Sequence, residues 1–182
     1  MKDIALHILD IAQNSVSAGA NLIVIETVEK PSDDKLTVTI SDNGCGMDRE
    51  TVRKVTDPWF TSRTTRKVGM GIPLLMQSAV QSGGNLDISS EPGRGTKITA
   101  VFGHSHIDRP PKGDIAGVIS MLAGANPLID FVYRHLYEDI EYRFDTREVK
   151  EILEDIPLNE PSVIGYMKEM IGENLSGLSG QH

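Results

Sequence analysis

Helix and hairpin patterns alternate along the first hundred residues, and that alternation constrains the fold more than any single motif does. From Lys2 to Ala18 apolar residues recur at helical spacing and Gly19 stops the run, which predicts an amphipathic opening helix. Asn21 to Val28 and Lys35 to Ser41 are rich in Val, Ile and Thr and flank Lys30-Pro31-Ser32-Asp33-Asp34, a turn sequence, so a hairpin ending at Asp42 is expected. Asp48 can cap a short helix through Lys54, and residues 55 to 68 form a polar, hydroxyl-rich and basic loop. Gly69-Met70-Gly71 then opens a helix with Pro73 in its first turn, and Gly83-Gly84 closes it. A second hairpin joins Leu86–Ser90 to Thr96–Phe102 through Glu91-Pro92-Gly93-Arg94-Gly95.

The remainder changes style. His104 to Pro111 reads as a linker, followed by a helix (Asp114 to Ala123), strands at Ile129–Leu136 and Ile140–Asp145, and two further helices, with Asp145-Thr146 placed as an N-cap. Leu175 to His182 reads as a frayed end. A chain of 182 residues fits one domain, or a domain with an appended subdomain. Its lone cysteine, Cys45, rules out an internal disulfide and a structural zinc site, which points to a reducing compartment.

Charge narrows the partners. A formal net charge of -8 disfavours nucleic acid and anionic membrane surfaces, and no apolar run is long enough for a spanning helix. Met1-Lys2-Asp3-Ile4-Ala5-Leu6-His7 lacks the unbroken apolar stretch of a signal peptide, so a cytoplasmic location is expected. Soluble proteins and small ligands remain.

Three elements carry chemistry. On the first helix Asp3, His7, Asp10, Asn14 and Ser17 recur at intervals of four, three, four and three, which makes one narrow polar stripe facing either solvent or a polar ligand. Asp42-Asn43-Gly44-Cys45-Gly46-Met47 follows a strand directly and brings a carboxylate to a turn whose glycines permit close approach of a ligand. A tight turn or a calcium-type loop are the other readings of that run, though the second would want more carboxylates at alternate positions. Gly69-Met70-Gly71-Ile72-Pro73 places glycines at a helix start, where free N–H groups and the helix dipole attract anions. It is neither a P-loop nor a dinucleotide fingerprint. Upstream, Thr61 to Lys67 form a basic, hydroxyl-rich run suited to phosphate.

Taken in this order, the elements resemble the GHKL superfamily, which groups DNA gyrase, the MutL mismatch-repair proteins, heat-shock chaperone ATPases, histidine kinases and anti-sigma-factor serine kinases. Leu9 to Ala20 resembles the family's N box, in a MutL-like form, and Asp42 to Met47 resembles its G1 box. Asp57 to Arg63, Gly69 to Ile72, Gly83 to Leu86 and Gly93 to Thr96 are similar to the end of a histidine-kinase ATP-binding domain. The resemblance covers residues 1–103 and leaves 104–182 as a C-terminal α/β extension of unknown role. It implies an α+β fold, a two-layer sandwich in which helices cover a mixed, mainly antiparallel sheet. ATP would lie between the layers, under a lid made by residues 55 to 68.

The resemblance also implies roles. Asn14 would ligate Mg2+, Asp42 would accept a hydrogen bond from the adenine amino group, and Gly44, Gly46, Met47 and Thr96 would shape the base pocket. Gly69, Met70, Gly71 and Ile72 would meet the phosphates, with Arg63 and Lys67 beside them on the lid. Asp10 stands where the ATPases and anti-sigma kinases carry a glutamate that activates the nucleophile, one methylene longer. Lys67 replaces a glycine that many kinases have, and none of His7, His104, His106, His135 or His182 is followed by the acidic residue of a phospho-accepting motif. His104-Ser105-His106 offers two metal-type donors without a third. Three readings follow: a kinase-like regulator acting on a separate protein or phospho-acceptor, a slow ATPase working as a conformational switch, and a binding module without chemistry. A homodimer is compatible with each, and ATP or ADP with Mg2+ is the ligand in all.

Overall fold

A computed structural model describes residues 2–57 and 70–179. Helix α1 (Ile4–Ser17) is capped by Asp3, whose carboxylate accepts the Leu6 N–H at 2.8 Å. The N–H groups of Ile4 and Ala5, which the helix itself cannot satisfy, donate to the carbonyls of Pro111 and Lys112 at 2.9 and 3.0 Å. The segment expected as a linker is therefore a strap across the start of α1, and the Arg109 side chain braces it internally by donating to the His104 carbonyl at 2.6 Å.

Strands β1 (Leu22–Lys30) and β2 (Lys35–Asp42) form the first hairpin, and α2 (Arg49–Thr56) begins at Asp48, whose carboxylate accepts the Thr51 N–H at 2.7 Å. Helix α3 (Gly71–Gln81) leads to β3 (Asn85–Glu91) and β4 (Gly95–Gly103). Beyond the strap come α4 (Ile115–Ala125), β5 (Asp130–Tyr137), β6 (Ile140–Asp145), α5 (Thr146–Leu153) and α6 (Pro161–Ser179). The expected fraying from Leu175 is corrected here, since α6 continues through Ser179 and buries Leu178. No helix of the described residues is long and apolar enough to cross a membrane.

The six strands make one sheet in the order β3-β4-β2-β1-β5-β6, antiparallel throughout except between β1 and β5. This is the α+β, mixed and mainly antiparallel arrangement expected, and the C-terminal hairpin continues the sheet past β1. Register decides what each row of the sheet offers the helices. Tyr133, Ile25, Ile40 and Ile98 stand in one central row and are buried under Ile8 and Ile11 of α1, Ile119 of α4 and Ile171 of α6. At the rims of the same face the rows turn polar: Asp42, Thr96 and Ser90 at one end, Glu29 and Tyr137 at the other. Those two ends are where this face offers polar groups at its rims.

Candidate functional site

At the first rim lies a cavity of about 390 Å³, lined among others by Ile11, Asn14, Asp42, Met47, Val55, Ile72, Thr96 and Ile98. That volume is in the range of small-molecule sites, and apolar walls with a few fixed polar groups are what such sites use. Alternation along β2 explains the arrangement, because Ile40 and Asp42 share a face and the carboxylate is the next helix-facing residue after an apolar one.

Asp42 is held rather than free. The Ser15 hydroxyl donates to Oδ2 at 2.6 Å and the Gly44 N–H donates to Oδ1 at 2.9 Å, so the carboxylate plane is set from two directions. Each oxygen keeps a lone pair for a ligand donor. The turn that follows is pinned by its backbone: the Cys45 N–H donates to the Ala18 carbonyl at 2.9 Å, and the Gly93 N–H donates to the Cys45 carbonyl at 2.7 Å. Gly46 has φ +69, and a side chain there would run into the Glu91 carbonyl, so the close approach of this turn to the second hairpin requires glycine. The Met47 N–H donates to Ser90 Oγ at 2.8 Å, and Ser90 Oγ lies 2.8 Å from Thr96 Oγ1. The end of α1, the β2 turn and the second hairpin are thus joined into one rigid floor.

The polar stripe of α1 does not occupy a single environment. Asp3 caps the helix and His7 is 3% exposed, with Nε2 3.1 Å from Ser78 Oγ of α3. Burial, aided by the Lys2 charge, lowers the His7 pKa, and Nδ1 has no partner among the described residues. Asp10 is ion-paired with Lys2 through Oδ2. Only Asn14 and Ser17 line the cavity, and the Asn14 amide makes no hydrogen bond among the described residues.

Helix α3 meets α1 at Asp10. A Cβ placed on Gly71 would lie 3.1 Å from the Asp10 Cβ, a tight contact that glycine avoids. The α3 ladder begins with the Leu74 N–H donating to the Met70 carbonyl at 3.0 Å, and Pro73 has no N–H, which leaves the Gly71 and Ile72 N–H groups at the helix start without a place in it. Met70 is exposed at the N-cap. The structure therefore brings Asn14, Asp42, Gly46, Met47, Ile72 and Thr96 onto one cavity, with Gly44 behind Asp42, and Asp10 and Gly71 beside it. Arg63, Lys67 and Gly69 lie outside the described residues, as does most of the expected lid. Ser15 and Ser90 were not singled out from sequence. Ser15 makes its contact across 27 positions of chain, and the only local signal was its place next to Asn14.

The opposite rim is different. A smaller cavity of about 240 Å³ there is lined by Glu29, Lys112 and His135 with residues of α4 and α6. Its polar groups are already used on one another: Glu29 Oε1 is 2.8 Å from His135 Nε2 and 3.0 Å from Lys112 Nζ, and Oε2 is 3.2 Å from His104 Nε2. The two histidines of His104-Ser105-His106 are turned to different partners: His104 faces Glu29, while His106 Nδ1 accepts the Asp108 N–H at 3.1 Å. No group of three or more His, Cys, Asp or Glu side chains is placed to hold a metal among the described residues.

Comparisons with known proteins bear on the N-terminal half of the chain. The chain is 33% identical over 102 residues to the signal transduction histidine-protein kinase AtoS of Escherichia coli, a match covering 56% of this chain and 16% of AtoS. It is 32% identical over 95 residues to the sensor protein kinase FleS of Pseudomonas aeruginosa, covering 52% of this chain and 23% of FleS. The chain thus spans less than a quarter of these relatives' length. Among solved structures, the Aquifex aeolicus MutL ATPase domain complexed with ADP aligns with a TM-score of 0.51 at 16% identity, over 84% of this chain and 69% of that one. The N-terminal domain of a DNA repair protein aligns with a TM-score of 0.56 at 15% identity, over 79% and 52%. The profile of the histidine kinase-, DNA gyrase B- and HSP90-like ATPases matches residues 2–105, more than half of the chain, and the chain belongs to that family.

Proposed function

We propose that this chain binds Mg-ATP at the first rim of the sheet and acts as a kinase-like regulator of a separate protein in the cytoplasm. The observation that carries the reading is Asp42, a carboxylate locked by Ser15 and Gly44 at the floor of a largely apolar cavity, where it can accept a hydrogen bond from an exocyclic amine. Gly46, Met47 and Thr96 would enclose the base. The start of α3, with Gly69, Met70, Gly71 and Ile72, would take the phosphates, with Arg63 and Lys67 from the loop before it.

The donors present fit magnesium. An amide oxygen is a hard ligand, Asn14 at the cavity makes no side-chain hydrogen bond among the described residues, and Mg2+ commonly takes one or two protein ligands and completes its shell with phosphate oxygens and water. When bound, the ion would neutralise phosphate charge. Asp10, one turn before Asn14, would accept the proton of the attacking hydroxyl or water. Its position where the Gly71 backbone at the α3 start packs on the Asp10 Cβ favours a second reading, a slow ATPase whose turnover drives a conformational switch. A non-catalytic binding module is what remains if no turnover occurs.

Calorimetric titration of the purified chain with ADP and a non-hydrolysable ATP analogue, with and without Mg2+, tests the site. Asp42→Ala should abolish measurable binding, and Asn14→Ala should remove its metal dependence. Binding that survives Asp42→Ala unchanged would refute the assignment. Transfer of labelled phosphate to an acceptor protein then supports the regulator, whereas phosphate release without transfer supports the switch.

A further inference from the structure

The geometry points to Lys2 as the residue that delivers a positive charge to the terminal phosphate, and so makes the site prefer a nucleoside triphosphate over a diphosphate. This rests on the nucleotide reading above and adds to it a residue that the polar stripe of α1 did not include.

Lys2 stands just before α1, and its ammonium reaches eight residues along the helix to Asp10 Oδ2. Asp10 is also the point where α3 begins its approach to α1, because the Gly71 backbone packs against the Asp10 Cβ. The ammonium is thereby anchored on Asp10, the same residue on which α3 packs the helix start whose Gly71 and Ile72 N–H groups are left over from the ladder. Along α1, Ser15 marks the base end, Asn14 follows, and Asp10 lies one turn further, about 6 Å away. A chain of phosphates running in that direction brings its last member, and not its first, to Lys2.

Charge supports the same placement. An ionised Asp10 alone would repel a terminal phosphate, and the attached ammonium offsets that repulsion. Lysine carries three donors, and among the described residues the Lys2 ammonium is engaged by Asp10 alone, which leaves donors for phosphate oxygens. The Lys2 and Asp10 side chains are 40% and 30% exposed, so the pair is reachable from solvent. An exposed pair of this kind contributes little to folding. Its removal should therefore leave the fold intact and act on the ligand.

The test compares the whole chain with Lys2→Met and Lys2→Arg, each titrated with ADP and with a non-hydrolysable ATP analogue in Mg2+, after thermal melts confirm folding. Lys2→Met should weaken the analogue about tenfold and ADP by less than about twofold, as expected for one charge-assisted hydrogen bond. Lys2→Arg should retain most of the analogue's affinity. Equal loss for both nucleotides, or no loss for either, would overturn the role of Lys2. Failure of the parent chain to bind any adenine nucleotide would overturn the nucleotide reading itself, and this role with it.

Discussion

Asp42 matters at the residue scale because of what holds it. Ser15 is 3% exposed and its hydroxyl is the side-chain donor to Oδ2, so Ser15→Ala should leave the carboxylate free to turn while removing only one buried oxygen. Nucleotide affinity should fall about fivefold to tenfold, the upper part of the range for one ordinary hydrogen bond, while the thermal midpoint moves by only a few degrees. Titration beside a melt measures both, and an unchanged affinity would show that Asp42 needs no second donor. Asn14, Asp42 and Gly46 were legible in the sequence because each is an unusual residue type at a marked place, a polar residue on a helix or a carboxylate and glycines directly after a strand, whereas Thr96 came only from the family resemblance. Ser15 was not legible, since its partner is set by packing of α1 on β2 and not by spacing. The uniform polar stripe failed for the same reason. Periodicity placed Asp3, His7, Asp10, Asn14 and Ser17 on one side of α1, but the Lys2 pairing, the Ser78 contact and the cavity divide that side into separate environments.

Among elements, the contact of α1 with α3 links the end that would hold the metal to the end that would hold phosphate. Gly71→Ala adds a methyl 3.1 Å from the Asp10 Cβ, which α3 can accept only by moving a few tenths of an ångström. Alanine favours the helix by up to about 1 kcal/mol over glycine, so the melting temperature should hardly fall. The ATP analogue should nevertheless bind severalfold more weakly, because the Gly71 and Ile72 N–H groups move away from the phosphate position. Stopped-flow or calorimetric affinities for Gly71→Ala that match the parent chain would show that this contact is packing alone. Element boundaries were legible to within a residue or two wherever a cap marked them, as at Asp3, Asp48, Asp114 and Asp145. The last turns of α6 were missed because Gly172, Gly177 and neighbouring serines weaken local helix propensity, and burial of Leu178 and Ile171 against the rest of the fold outweighs it. The strap from His104 to Lys112 was missed because its purpose, satisfying the first N–H groups of α1, involves residues a hundred positions away.

For the whole molecule, the sheet is a single unit whose far rim is closed by Glu29. That residue is 3% exposed and collects His135 from β5, Lys112 from the strap and His104 from the end of β4, so it joins the matched family region to the C-terminal hairpin. Burial by itself would raise its pKa; hydrogen bonds from His135 and Lys112, the Lys112 charge and His104 outweigh that and pull it from 4.5 to about 2. The sign follows from linkage. The folded state binds the Glu29 proton less readily than the unfolded chain does, so its contribution is present in full above about pH 4.5 and is lost as the pH falls towards 2. A shift of that size corresponds to roughly 3 kcal/mol at neutral pH, an upper figure because the Lys112 and His104 ends of the cluster are partly solvated. Urea unfolding of the parent chain and of Glu29→Gln at pH 7, 5, 4 and 3 isolates this component from the other carboxylates, which titrate equally in both. Glu29→Gln should be the less stable protein at pH 7, and the gap should narrow steadily below pH 4.5. Two parallel profiles would mean that the cluster merely fills the rim, and that the C-terminal hairpin is held to the sheet by strand pairing and packing alone.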